Sequence, residues 1–292
     1  MAARQRTNLE QEKYLKQLTL SSDACFRVSL KLCSPEELEN YLQLLADTIT
    51  GRKTGLFHDV QSQKDLITVT GAKSNRPDLF GYDHLDGSWS VEMQNDSIES
   101  GRIEAQTAHM VLNALPEGKP YSSMKKSHMI WMTDAVKLAG LNGALFEGNT
   151  AVVRLETVIS KTRRRIRSNT EVILFNLRYV AGNARGQLAH DFRQSDPEKI
   201  IHPFLRMLMR RIKYTKKGRA AMCKITRQIY NDGLREGRAE GRKEGHKAGL
   251  EERSVETARS LLKMGMLTLQ QIAWATKLPV KEVRRLQAQM EV

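Results

Sequence analysis

At 292 residues and 40% hydrophobic content, the chain can build one large domain or two smaller ones around a real core. A formal net charge of +14 and a pI near 9.8 call for a polyanionic partner, nucleic acid first and an anionic membrane surface second. Cys25, Cys33 and Cys223 form no CxxC or Cys/His pattern, which excludes a disulfide framework and a zinc site, and no run of about 18 apolar residues exists to span a membrane.

The opening "MAARQRTNLEQEKYLKQ" has no apolar stretch and predicts a polar segment over residues 1–20, not a secretory leader. With the cysteine usage, this predicts a cytoplasmic protein. "SPEELENYLQLLADTITG" (34–51) predicts a helix: Ser34 and Glu37 make a capping box, Pro35 takes the first helical position, and Gly51 closes the end. Leu38, Tyr41, Leu42, Leu45 and Ala46 then give it one apolar face. Residues 55–94 predict strands at "LFHDVQSQ", "RPDLFGYD" and "WSVEMQ", the last two joined by a turn at Asp86–Gly87. A helix follows over 99–115, stopped by Pro116 and Gly118. Strands are predicted at 127–134, 151–158 and 171–180, and helical periodicity returns over 203–233.

From Gly233 the glycines at 233, 237, 241, 245 and 249 recur every fourth position, with Glu and Arg/Lys between them. The segment predicts a helix, either a solvated charged linker or a self-association helix using close backbone approach. The last forty residues predict a helix ended by Gly265, then helix, turn, helix, with a Thr268/Gln271 capping box and Pro279 near the start of the second helix. That hairpin reads either as a DNA-reading pair with Lys277 where a turn glycine is usual, or as a packing or dimerising unit.

The chemistry concentrates in "RPDLFGYDHLDGSWSVEMQND" (76–96). Residues two apart on a strand share a face, so Trp89, Val91 and Met93 point into a core while Ser90, Glu92 and Gln94 point the other way. Asp78 lies on the preceding strand. Taken singly, Asp78 reads as a turn cap and Glu92 as a solvent-facing strand residue. Together they place two carboxylates on neighbouring strands, able to converge on a hard cation such as Mg²⁺, with a carbonyl near Met93 as a further oxygen. A metal there activates water and neutralises charge on a scissile phosphate. This is the spacing of a PD-(D/E)XK nuclease.

With these residues, the chain resembles the Rpn-type recombination-promoting nucleases, or PD-(D/E)XK family transposases. The resemblance covers roughly residues 20–250 and is carried by "EMQ" in place of EXK, by Arg102 opening the next helix, and by "LPEGKPYSSM". "MIWMTDAVKLAGLNGALF" with Asp134, "GQLAHDFRQSDPEKI", "KKGRAAMCKI" and the "EG" repeats extend it. It implies an α/β, restriction-endonuclease-like core, a mixed central sheet flanked by helices, over 21–230. A repeat helix (231–253) and a C-terminal helical hairpin (254–292) follow. It also implies Mg²⁺-dependent DNA cleavage, with Mn²⁺ as a possible substitute, linked to recombination or mobile elements in a bacterial, nucleoid-associated protein. Asp78 and Glu92 would hold the metal. Gln94 would stand where most relatives in the superfamily keep a lysine, able to position water but carrying no cation. Arg102 would contact a phosphate. An acid on the first helix would complete the site, with Glu36, Glu37 and Glu39 as candidates. Gln106 departs from the aromatic usual after the arginine.

Two basic stretches offer a DNA surface. Lys161, Arg163, Arg164, Arg165 and Arg167 lie between two strands, and Arg206, Arg210, Arg211 and Lys213 lie on a helix. His190 and Asp191 are adjacent in sequence, so they diverge and read as structural. The C-terminal helices are candidates for a homodimer or higher homo-oligomer. The competing class is a DNA-binding or assembly module on the same fold with little or no cleavage. An RNA-directed nuclease lacks a base-stacking platform, since aromatics are 6% of the chain.

Overall fold

The protein is described by a computed structural model over residues 15–66, 76–95, 98–115, 117–135, 137–138 and 143–290, with side chains left undescribed at 226–234, 236 and 240. Most of the predicted polar N-terminal segment, Pro116 and part of the "TDAVKLAGLNG" stretch lie outside the described residues. The chain divides into two units, one ending at Thr226 and one beginning at Arg227.

The first unit is α/β, with a mixed six-stranded sheet flanked by helices. Helix α1 (Asp23–Lys31) starts where the Ser22 hydroxyl accepts from the Cys25 N–H. Helix α2 (Pro35–Thr50) carries the predicted capping box between Ser34 and Glu37 and ends at Gly51 in the left-handed region, φ 74°. The strands are β1 (Phe57–Ser62), β2 (Leu79–Asp83), β3 (Ser88–Gln94), β4 (Ser127–Thr133), β5 (Val152–Leu155) and β6 (Thr170–Asn176), in the order β1-β2-β3-β4-β6-β5. The β1–β2, β2–β3 and β5–β6 pairs are antiparallel; β3–β4 and β4–β6 are parallel. A parallel pair needs a crossover, and α3 (Ser100–Ala114) lies in the β3–β4 connection.

Each sheet face has its own core. Trp89, Val91, Met93, Ile130, Met132, Ile173 and Phe175 share a cluster with residues of α1, α2, α4 (Ala184–Arg193) and α5 (Pro203–Tyr214). Phe80, Met129, Trp131, Val172 and Leu174 share the other with Ile103 and Met110 of α3. The predicted alternation along β3 therefore holds, and both faces are covered. Close approach of α2 to β2 requires Gly81, where a Cβ would stand 2.6 Å from Val60 Cγ2 and 3.0 Å from Leu42 Cδ2.

The periodicity predicted over 203–233 breaks at Thr215, whose backbone is extended and whose hydroxyl accepts from the Gly218 N–H at 2.9 Å. Helix α6 (Lys216–Met264) follows. A Cβ on Gly237, Gly241, Gly245 or Gly249 would meet nothing within 4 Å among the described residues.

In the second unit, α7 (Leu269–Thr276) and α8 (Val280–Met290) pack with the end of α6 around Ala258, Ile272, Ala273, Val283 and Leu286. The Thr268/Gln271 capping box is present, and Lys277 takes the left-handed conformation, φ 58°, of the turn. Among the described residues, no helix is long and apolar enough to cross a membrane.

Candidate active site

The β2–β3 hairpin turns at Asp86, φ 57°. Asp83 braces it: Oδ1 accepts from the Leu85 and Gly87 N–H groups, and Oδ2 accepts from Trp89 Nε1 at 2.9 Å. The ladder then pairs Leu79 with Val91, which puts Asp78 across from Glu92 on one face. Both are buried, Asp78 to 1% exposure and the Glu92 side chain to 5%.

Asp78 is held from three sides. Its Oδ1 accepts from Gln63 Nε2 at 2.6 Å, its Oδ2 accepts from the Met93 N–H at 3.1 Å, and Arg27 Nε stands 3.2 Å from Oδ1. Gln63 reaches it from a strained left-handed position, φ 55°, directly after β1. Glu92 Oε1 accepts from Gln106 Nε2 at 2.7 Å, and its Oε2 lies 3.8 Å from Arg102 Nη2. Burial first, and then the charge of Asp78, raise the Glu92 carboxyl well above its ordinary 4.5.

Gln94, at the open end of β3, accepts a hydrogen bond from Arg102 Nη1. The Arg102 guanidinium lies 5.3 Å from the ring centroid of the fully buried Trp131. Arg102 and Gln106 stand about one turn apart on α3, and this helix thereby reaches Gln94 and Glu92 together.

The acid that α1 and α2 bring to the site is Asp23, not one of the three glutamates expected. Its Oδ1 is 3.0 Å from Arg27 Nε, so Arg27 bridges Asp23 and Asp78. Burial foremost raises the Asp23 carboxyl; Arg27 opposes this and Asp78 adds to it. Glu37 is committed elsewhere, to its capping box and to Arg211 at 2.7 Å and 2.8 Å. Glu36 is exposed and Glu39 half-buried. Among the described residues, no three His, Cys, Asp or Glu side chains gather as a metal cluster.

Asp23, Arg27 and Gln63 were not anticipated. Ser22–Asp23 ahead of an amphipathic run, with Arg27 four residues on, was the available signal for the first two. Gln106 stood out only as a departure; it proves to be the hydrogen-bond donor to Glu92.

Of the predicted DNA-contacting arginines, Arg102 reaches the carboxylate pair, while Arg210 and Arg211 pair with other acids. Arg163, Arg164 and Arg165 are exposed on the 157–166 loop, with Arg163 at φ 57° and Arg165 paired to Glu156 at 2.8 Å. Arg210 pairs with Glu198 on the surface. Arg211 clamps α5 to Glu37 and to the Leu32 carbonyl at 2.9 Å, a structural task. Asp191, fully buried, accepts from the Ile201 and His202 N–H groups at 2.8 Å and 2.7 Å, and, contrary to the expected divergence, His190 Nδ1 stands 3.0 Å from its Oδ1; these contacts give Asp191 a structural role.

No family model, curated protein or solved structure matches the chain.

Proposed function

We propose that this protein is a divalent-metal-dependent DNA endonuclease on a restriction-endonuclease-like core, of the Rpn-type recombination-promoting kind. Asp78 and Glu92 are the Mg²⁺ ligands in this reading. The observation that carries it is a pair of buried carboxylates set directly across an antiparallel ladder on one face of the sheet.

The donor set fits the ion. Two hard oxygen donors in a buried site repel each other when ionised, and a dication between them would relieve that repulsion. Mg²⁺ commonly takes one or two carboxylates and keeps several waters, so a third acid is not required. Bound there, it would supply an activated water and charge neutralisation at a phosphate.

The protein's own residues do the rest. Gln63, Arg27 and the Met93 N–H fix one Asp78 orientation, and Gln106 fixes Glu92. Arg102, half exposed, presents a guanidinium beside the pair, where a planar fork suits phosphate. The excess of basic residues attracts the polyanion.

A second reading, a DNA-binding or assembly module with weak or absent cleavage, is favoured by one observation. The residue two beyond Glu92 is a neutral amide already engaged by Arg102. End-labelled duplex DNA separates the two readings. A nuclease gives shortened strands in Mg²⁺ or Mn²⁺ and none in chelator; binding without shortened strands in either metal supports the module and overturns the nuclease.

A further inference from the structure

We infer that the substrate-facing cation of this site is Arg102, and that Gln94 is a positioning residue that holds the Arg102 guanidinium against the substrate's phosphate instead of handling water. The inference rests on the proposed reading only for the statement that the phosphate belongs to DNA.

Two guanidiniums approach the carboxylates, and they are used differently. Arg27 lies between Asp23 and Asp78, 3.0 Å and 3.2 Å from their oxygens, so its charge is enclosed by acids. Arg102 is 48% exposed and stands 3.8 Å from Glu92 Oε2, outside hydrogen-bonding distance. A guanidinium has five N–H donors. Among the described residues, one of those on Arg102 goes to Gln94, leaving the others for a ligand.

Its position is nevertheless fixed. The Trp131 ring supports the guanidinium at 5.3 Å, and Trp131 is itself fully buried and cannot swing away. Gln94 supplies the second restraint, its carbonyl accepting from Nη1. Ring and amide together hold a long side chain in one place, lowering the entropy lost when it meets a phosphate. One of the two lone pairs of the Gln94 carbonyl is thereby committed to Arg102. A neutral residue at position 94 thus serves a cation supplied from α3.

The test is the salt dependence of duplex binding without metal, in chelator, for wild type, Arg102→Ala, Arg102→Lys, Gln94→Leu and the double variant. Each phosphate contact contributes about 0.9 to the slope of log K against log salt. Arg102→Ala is expected to lower the slope by about one contact. Arg102→Lys should recover charge but not full affinity, lacking the fork. Gln94→Leu should weaken binding in the same direction, and the double variant should be no weaker than Arg102→Ala. Thermal melts check folding, with Gln94→Met as the substitute if Gln94→Leu is unstable.

Wild-type affinity and slope in Gln94→Leu, or additive losses in the double variant, would overturn the positioning role. An unchanged slope in Arg102→Ala, or a wild type with no salt-dependent affinity for the duplex, would overturn the role of Arg102. These outcomes are read without metal, so a protein that binds but never cuts defeats the nuclease reading and leaves this one standing.

Discussion

Replacing Glu92 by Gln should make the protein more stable at pH 8 in chelator. Ionised Glu92 is buried, 5% exposed, opposite another buried carboxylate. Burying a charge carries a penalty of several kcal/mol in real proteins. Its compensation is a single charge-assisted bond from Gln106, worth about 1.5–3 kcal/mol, and a half-exposed Arg102 at 3.8 Å, worth about 1 kcal/mol or less. The balance is unfavourable by roughly 1–3 kcal/mol, which the isosteric amide removes while still accepting from Gln106. For a chain of this size that is a rise in Tm of about 2–8 °C. The pH dependence follows from the raised Glu92 carboxyl. Above the unfolded carboxyl's ordinary 4.5, the folded state holds a proton that the unfolded state has released, so wild-type stability falls as pH rises. The gap between variant and wild type should therefore be widest at high pH and close below about pH 4, where Glu92 is neutral in both states. Thermal melts from pH 4 to 8 measure it. A variant no more stable than wild type at pH 8, or a gap independent of pH, would refute the reasoning.

Other substitutions separate structural from functional roles. Arg211→Ala removes two bonds to Glu37 and one to the Leu32 carbonyl and should cost about 2–3 kcal/mol in urea unfolding, with little change in DNA affinity. The Arg211 hydrogen bond foremost lowers the Glu37 carboxyl from 4.5 to about 2, so this contribution is complete above about pH 4.5 and lost as pH falls through 2. Asp191→Ala removes a charged acceptor from two part-buried backbone N–H groups and should cost about 3–5 kcal/mol by the same measurement.

What was legible in the sequence was local. The Ser34/Glu37 box, the Thr268/Gln271 box and the Asp86–Gly87 hairpin are each decided by residues within a few positions of one another. The Asp78–Glu92 pairing was legible for the same reason, because one tight turn sets the register of both strands. The surroundings of that pair were not. Arg27 and Gln63 reach Asp78 from α1 and from the end of β1, and Gln106 and Arg102 arrive only when α3 folds back over the sheet. Glu37 suited a site acid by composition, yet Arg211, 174 positions away, claims it. The break at Thr215 has no proline or glycine at the corner itself; a Cβ on Gly218, three residues later, would lie 2.2 Å from the Arg211 carbonyl oxygen.

The most direct test of the central claim is supercoiled-plasmid cleavage by wild type, Asp78→Asn and Glu92→Gln in Mg²⁺ and in chelator, each with a parallel DNA-binding measurement. The account predicts nicked or linear plasmid from wild type in Mg²⁺ alone, and no cleavage from either variant although both still bind. Cleavage that survives in Asp78→Asn or Glu92→Gln would contradict it, as would a wild type that binds the plasmid and leaves it intact in both Mg²⁺ and Mn²⁺.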